Sequence, residues 1–83
     1  MVKNKLMKYD VLEHQKSVAY HQEKSSVLLD PGDRVEIRGL KKHFARCVVL
    51  NGENIGEELL IRKEDCVLNF INLFNSAFEK EVM

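Results

Sequence analysis

Two turn signals, Asp30-Pro31-Gly32-Asp33 and Asn51-Gly52-Glu53-Asn54, punctuate the middle of the chain and leave only short segments around them. Proline presets φ for the second position of a turn and glycine accepts positive φ in the third. Asn-Gly is the strongest short-range hairpin signal. The segments between these turns read as strands. Asp33 to Arg38 is D-R-V-E-I-R, with Val35 and Ile37 on one face and charges on the other, the pattern of a half-buried strand. Val27-Leu28-Leu29 precedes the first turn, so residues 26–30 and 33–38 are expected to pair as a hairpin. Phe44 to Leu50 reads as a strand apolar on both faces, with Glu57 to Arg62 returning onto it and Asp65 to Leu68 adding a short fifth strand. Short antiparallel strands joined by tight turns close economically into a barrel, because closure removes unpaired edges.

The flanks have a different period. Residues 4–23 contain neither Gly nor Pro, and Met7, Val11 and Val18 fall on one helical face with Leu12 and Ala19 beside it. This predicts an N-terminal amphipathic helix, with a thin stripe between residues 12 and 18. Near the other end Val67, Phe70, Ile71, Phe74, Ala77 and Phe78 recur at three and four residues, which predicts a helix over 69–80. Its phenylalanines would cover the outward apolar face of the sheet (Val48, Leu50, Leu60) or join two copies of the chain. The expected fold is therefore α+β: one domain, a small antiparallel barrel of four or five strands over residues 26–68, flanked by two helices.

Size and composition narrow the class. The chain has 83 residues, of which 45% are hydrophobic and 31% charged, too apolar for a disordered segment. Its longest apolar run, Cys47-Val48-Val49-Leu50, has four residues, against about 20 needed for a membrane-spanning helix. The opening residues show no apolar signal region, so a cytoplasmic setting is expected. There Cys47 and Cys66 would stay reduced, as small core residues. The formal net charge of zero divides into +2 over residues 1–25, +2 over 26–50 and −4 over 51–83. A basic front and an acidic back can orient the molecule on a charged partner, but the overall basic excess of a dedicated nucleic-acid binder is missing.

One stretch resembles a known family. Gly39-Leu40-Lys41-Lys42-His43-Phe44 followed by Cys47-Val48-Val49-Leu50 looks like the first Sm motif, in which a glycine in a bent strand precedes a Phe and a V-[IV]-L strand, as in Hfq. Glycine permits the sharp bend that a barrel strand needs. Ala45 stands where RNA-binding members carry Asp, and Ile61-Arg62-Lys63 where Hfq proteins carry Tyr-Lys-His. Within the same fold, Tyr9-Asp10-Val11-Leu12-Glu13 resembles the Rof family, small Sm-like proteins that inhibit the termination factor Rho by protein–protein contact. An SH3-like or KOW barrel also accommodates the P-G-D-R-V-E-I string.

Chemistry-bearing motifs are few. No HExxH, CxxC, phosphate-binding Gly loop or GxSxG occurs, and neither cofactor nor metal is expected. On a helix His14 and His21 would share one face about 10 Å apart, too far for one ion, and would be solvated. Adjacent acids such as Glu57-Glu58 point to opposite faces of a strand. The sharpest cluster is cationic: Arg34 and Arg38 on one strand face, Lys41, Lys42 and His43 in the following bend, and Arg46 beyond it. It suits phosphates or an acidic protein surface. The expected function is thus a non-catalytic regulator that binds a protein, a monomer or homodimer acting without a membrane. The Rof resemblance implies a Rho-like partner in a bacterium or phage. The expected contact residues are Tyr9, Asp10, Glu13, Arg34, Arg38, Lys41, Lys42 and Arg46. The alternative is an Sm-like RNA-binding module.

Overall fold

The computed structural model describes residues 6–73. They build seven strands and one short helix: β1 (Val11–His14), β2 (Val18–His21), β3 (Ser26–Leu29), β4 (Arg34–Leu40), β5 (Phe44–Val49), β6 (Glu58–Arg62), α1 (Lys63–Asn69) and β7 (Phe70–Asn72). Five strands form one antiparallel sheet in the order β6-β5-β4-β1-β7, and β2 and β3 form a separate two-stranded sheet. No helix among the described residues is long and apolar enough to cross a membrane.

Three expectations are corrected. Residues 11–14 and 18–21, expected inside a helix over 4–23, are strands. The helical stripe was thin, whereas Leu12 and His14 alternate inward on β1, and β1 is held on both sides by β4 and β7. Tyr9, with φ of 74°, sets the chain in a left-handed conformation just before β1, which no α-helix tolerates in its interior. Second, residues 65–68 belong to α1, whose first turn holds Glu64 and Asp65 and whose buried residue is Cys66. Carboxylates suit the first turn of a helix. Third, the expected helix 69–80 begins instead as strand: Phe70–Asn72 pairs with β1, and residues 74–80 lie outside the described residues. The expected covering of Val48, Leu50 and Leu60 by Phe74 and Phe78 therefore also falls outside them.

The barrel is corrected as well. The five-stranded sheet is open, with β6 and β7 as its edges. Its apolar face is covered by a second layer rather than by closure. Tyr20, Val27 and Leu29 of the β2–β3 hairpin join Leu12, Val35, Ile37, Ala45, Cys47, Val49, Leu59, Ile61, Cys66 and Phe70 in one buried cluster. Burying each large aliphatic side chain stabilises by about 1.5–3 kcal/mol. Residues 26–30 and 33–38 are not partners either. The Asp30–Asp33 turn is real, with the Asp33 N–H donating to the Asp30 carbonyl at 3.0 Å and Gly32 at φ 96°. It carries the chain from the hairpin into the other sheet, where β4 pairs with β1 and β5.

The β5–β6 pairing expected around Asn51-Gly52 is observed. The β4–β5 register shifts between Ile37 and Gly39, the mark of a bulge. Cys47 and Cys66 are buried free thiols, as expected of core residues. The hydrogen bond with the neighbouring Cys66, and then burial, push the Cys47 thiol pKa up.

Candidate functional site

Alternation along the strands gives the five-stranded sheet two unlike faces. Val35, Ile37, Ala45, Cys47, Val49, Leu59 and Ile61 point to the core. The opposite, outer face carries Arg34, Glu36 and Arg38 from β4, Phe44, Arg46 and Val48 from β5, and Glu58, Leu60 and Arg62 from β6. Val11 and Glu13 of β1 complete it. Cross-strand register places Glu13 beside Arg34, Arg46 beside Leu60 and Phe44 beside Arg62.

Each of the four arginines on this face meets a carboxylate. Arg34 Nε lies 3.8 Å from Glu13 Oε2, and Arg38 Nε donates to Glu36 Oε1 at 2.7 Å. Arg46 Nη1 is 3.7 Å from Glu58 Oε1, and Arg62 Nε is 3.3 Å from Glu64 Oε1. These exposed pairs are each worth at most about 1 kcal/mol, yet they cancel much of the face's positive potential. The Arg62 guanidinium also stands over the Phe44 ring, 5.9 Å from its centroid, a cation–π contact. Arg46 depends on Gly39, its cross-strand partner. A β-carbon at Gly39 would lie 3.4 Å from Arg46 Nε, so the bare backbone leaves room for the guanidinium to lie across β4. Apolar groups fill the spaces between charges. Leu60 (43% exposed), Phe44 (37%) and Ile71 (42%) are the large ones.

The expected contact residues divide in this frame. Glu13, Arg34, Arg38 and Arg46 share the outer face. Lys41 and Lys42 are exposed in the β4–β5 turn at its end, next to a cleft of about 160 Å³ formed by Lys42, His43, Arg62, Lys63 and Glu64. Tyr9 is exposed, with Lys8 Nζ 5.2 Å from its ring centroid. Asp10 departs from the expectation: it is buried, and its Oδ2 accepts from the Met7 N–H at 3.0 Å and from Asn72 Nδ2 at 2.7 Å. It ties the segment before β1 to β7, inside the molecule.

His14 also departs. Expected as solvated, it is fully buried, while His21 is exposed and its Nδ1 lies 2.7 Å from Ser26 Oγ. His14 sits at the end of β1 against Phe70 and Tyr20, at ring centroid distances of 4.6 and 5.4 Å. Burial lowers its pKa, opposed in part by the Lys16 carbonyl, by Asp33 and by Asp30. Burial likewise raises the Tyr20 pKa.

Leu60 was expected on the outward face of the sheet and lies there, whereas Phe44 and Arg62 were missed as surface residues. Their signal was the hairpin register itself: once 44–50 is paired with 57–62, Phe44 and Arg62 must meet on the outer face. Comparison with protein-family models, with curated proteins and with solved structures finds no match for this chain.

Proposed function

We propose that this chain is a non-catalytic cytoplasmic regulator that acts by binding another protein through the outer face of its five-stranded sheet. One observation carries the reading: arginines already matched to carboxylates alternate there with exposed Phe44, Leu60 and Ile71. Arginines and aromatic groups are enriched in protein interfaces. A face that docks on nucleic acid instead needs surplus positive charge to displace counterions. The Rof resemblance of Tyr9 to Glu13 suggests the termination factor Rho as the first partner to try.

The test is affinity capture of the tagged chain with Arg34→Glu and Arg38→Glu together. Each reversal sets a second carboxylate beside Glu13 or Glu36 while leaving the core untouched. The expected result is loss of capture with an unchanged circular dichroism spectrum. Capture that survives both changes removes this face from the function.

A second reading has its own observation. Lys41, Lys42, His43, Arg62 and Lys63 gather at one end of the sheet with Glu64 as the nearby carboxylate, a shape suited to a phosphate backbone. Binding of U-rich and mixed single-stranded RNA at two salt concentrations discriminates the readings, because phosphate contacts weaken steeply with salt.

A further inference from the structure

The two sheets meet at a seam where strand edges remain open. In the β5–β6 ladder the odd-numbered residues exchange backbone bonds, as the Val49 N–H to Glu57 carbonyl and Lys63 N–H to His43 carbonyl bonds at its ends show. Antiparallel pairing alternates inward and outward groups, so the backbone groups of Glu58 and Leu60 point away from β5. Among the described residues one of these has a partner, and that partner is a side chain. The Leu60 N–H donates to Gln22 Oε1 at 3.1 Å. Gln22 belongs to the turn between β2 and β3. At the other end of the seam Asn54 Nδ2 donates to the Leu28 carbonyl of β3 at 2.8 Å. Two amide side chains, rather than a backbone ladder, join the hairpin to this side of the sheet.

A cleft of about 430 Å³ opens beside the Leu60–Gln22 contact, between the β2–β3 turn and β6. Leu60 forms an apolar part of its wall. On its rim Lys24, Lys41 and Arg46 outnumber Glu23 and Glu58, which favours an occupant carrying carboxylates. Gln22 Oε1 occupies the position that a backbone carbonyl of an added strand would take.

We infer that β6 receives an extended segment of the protein partner, which pairs with the Glu58–Leu60 edge and displaces the Gln22 amide from the Leu60 N–H. The segment alternates apolar residues, set against Leu60, with acidic residues directed to Lys24 and Lys41. Strand addition of this kind draws affinity from main-chain bonds and selectivity from alternate side chains. The inference rests on the protein-binding function proposed above and specifies its mode.

The probe is a short capped peptide of alternating valine and glutamate, titrated into the 83-residue chain and followed by NMR. Saturable binding is expected to move the Glu58 and Leu60 amide signals and slow their hydrogen exchange. Gln22→Ala removes the internal competitor and is expected to raise affinity by roughly two- to tenfold, the exchange of one ordinary hydrogen bond. A merely structural Gln22 would not produce that gain. Leu60→Pro deletes the N–H at an edge position, where proline is tolerated, and is expected to abolish binding. Should it fail to fold, the Gln22→Ala affinity and the exchange pattern of the native chain decide. Absence of saturable binding, perturbation centred on Ile71 at the opposite edge, or unchanged affinity in Gln22→Ala overturns the inference. If the peptide fails while the Arg34 and Arg38 reversals still abolish partner capture, the edge inference falls and the outer-face function stands.

Discussion

His14 Nε2 lies 2.7 Å from the Tyr20 hydroxyl in the core between the hairpin and the sheet. Asn69 Nδ2 donates to the same hydroxyl oxygen at 3.2 Å. The hydroxyl proton is therefore directed at Nε2, and the neutral imidazole keeps its proton on Nδ1, which among the described residues has no partner at hydrogen-bond geometry. A charged ring would have to donate from Nε2 as well, and the Tyr20 hydroxyl would have to turn its proton elsewhere.

Stability should consequently fall in mild acid. The His14 pKa is lowered on folding, so the unfolded chain binds the proton more readily. Its contribution is complete above the unfolded value of about 6.5 and is lost as pH falls from there through the folded value. Urea midpoints between pH 8 and 5 should decline for the native chain and decline less for His14→Gln. Equal slopes would assign the acid sensitivity to other groups.

Tyr20→Phe keeps the ring and deletes the hydroxyl. Both His14 Nε2 and Asn69 Nδ2 lose their partner, at a cost of about 1–3 kcal/mol. Chemical denaturation should show the loss with an unchanged slope, since the fold and its buried area are retained.

Asp10→Ala separates an internal from an external role. Removing the carboxylate deletes the two bonds that the buried Asp10 accepts, from the Met7 N–H and from Asn72 Nδ2, and stability should drop by about 1–3 kcal/mol. Partner capture measured below the unfolding transition should be unchanged. Loss of capture by a fully folded variant would return Asp10 to the interface.

Two glycines at left-handed φ should respond unequally to alanine. Gly32 (φ 96°) has open space where a β-carbon would go, so Gly32→Ala costs only the backbone term, about 1–2 kcal/mol. Gly52 (φ 85°) would place that carbon 2.7 Å from Asp33 Oδ1. The Asp33 carboxylate is not idle, because its Oδ2 accepts the Asp30 N–H at 2.9 Å. Gly52→Ala should therefore be the more damaging of the pair in thermal unfolding, and the reverse order would contradict the packing of the two turns.

Cys47 should resist a thiol reagent in the folded state. Its sulfur is buried, and its raised pKa keeps it protonated, whereas the thiolate is the reactive form. Labelling by a disulfide exchange reagent should track unfolding by denaturant. Rapid labelling in buffer would require the core around Cys47 and Cys66 to open.

Local signals held where pairing was local. The β5–β6 hairpin could be read from alternation and the Asn51-Gly52 turn, because its partners lie next to each other along the chain. The strand at Val35 and Ile37 was legible for the same reason, but its partner was not. Val27 to Leu29 looked like the obvious neighbour, yet β4 takes β1, whose residues lie more than a turn's reach away. The first strand was mistaken for helix because Val11, Leu12 and Val18 fit a weak helical stripe, and only the flanking β4 and β7 make the extended form win. The pattern Phe70-Ile71 misled similarly: three residues of strand do not establish a period. Of the surface, Arg34 and Arg38 were expected on one strand face and lie there, whereas the place of Arg46 on the same face follows only from the pairing of β5 with β4. The carboxylate partners of Arg34 and Arg46 were not foreseen, since Glu13 and Glu58 reach them across strands. Nothing in the linear order marks Gln22 as the partner of Leu60.

Residues 11–14 lie between β4 and β7, and this arrangement has a kinetic corollary. A nascent chain that has not yet extruded Phe70–Asn72 can form the β5–β6 hairpin but leaves one side of Val11–His14 without a partner. Assembly therefore waits for Phe70–Asn72 to emerge, and the most separated pairing among the described residues is the one that completes the sheet.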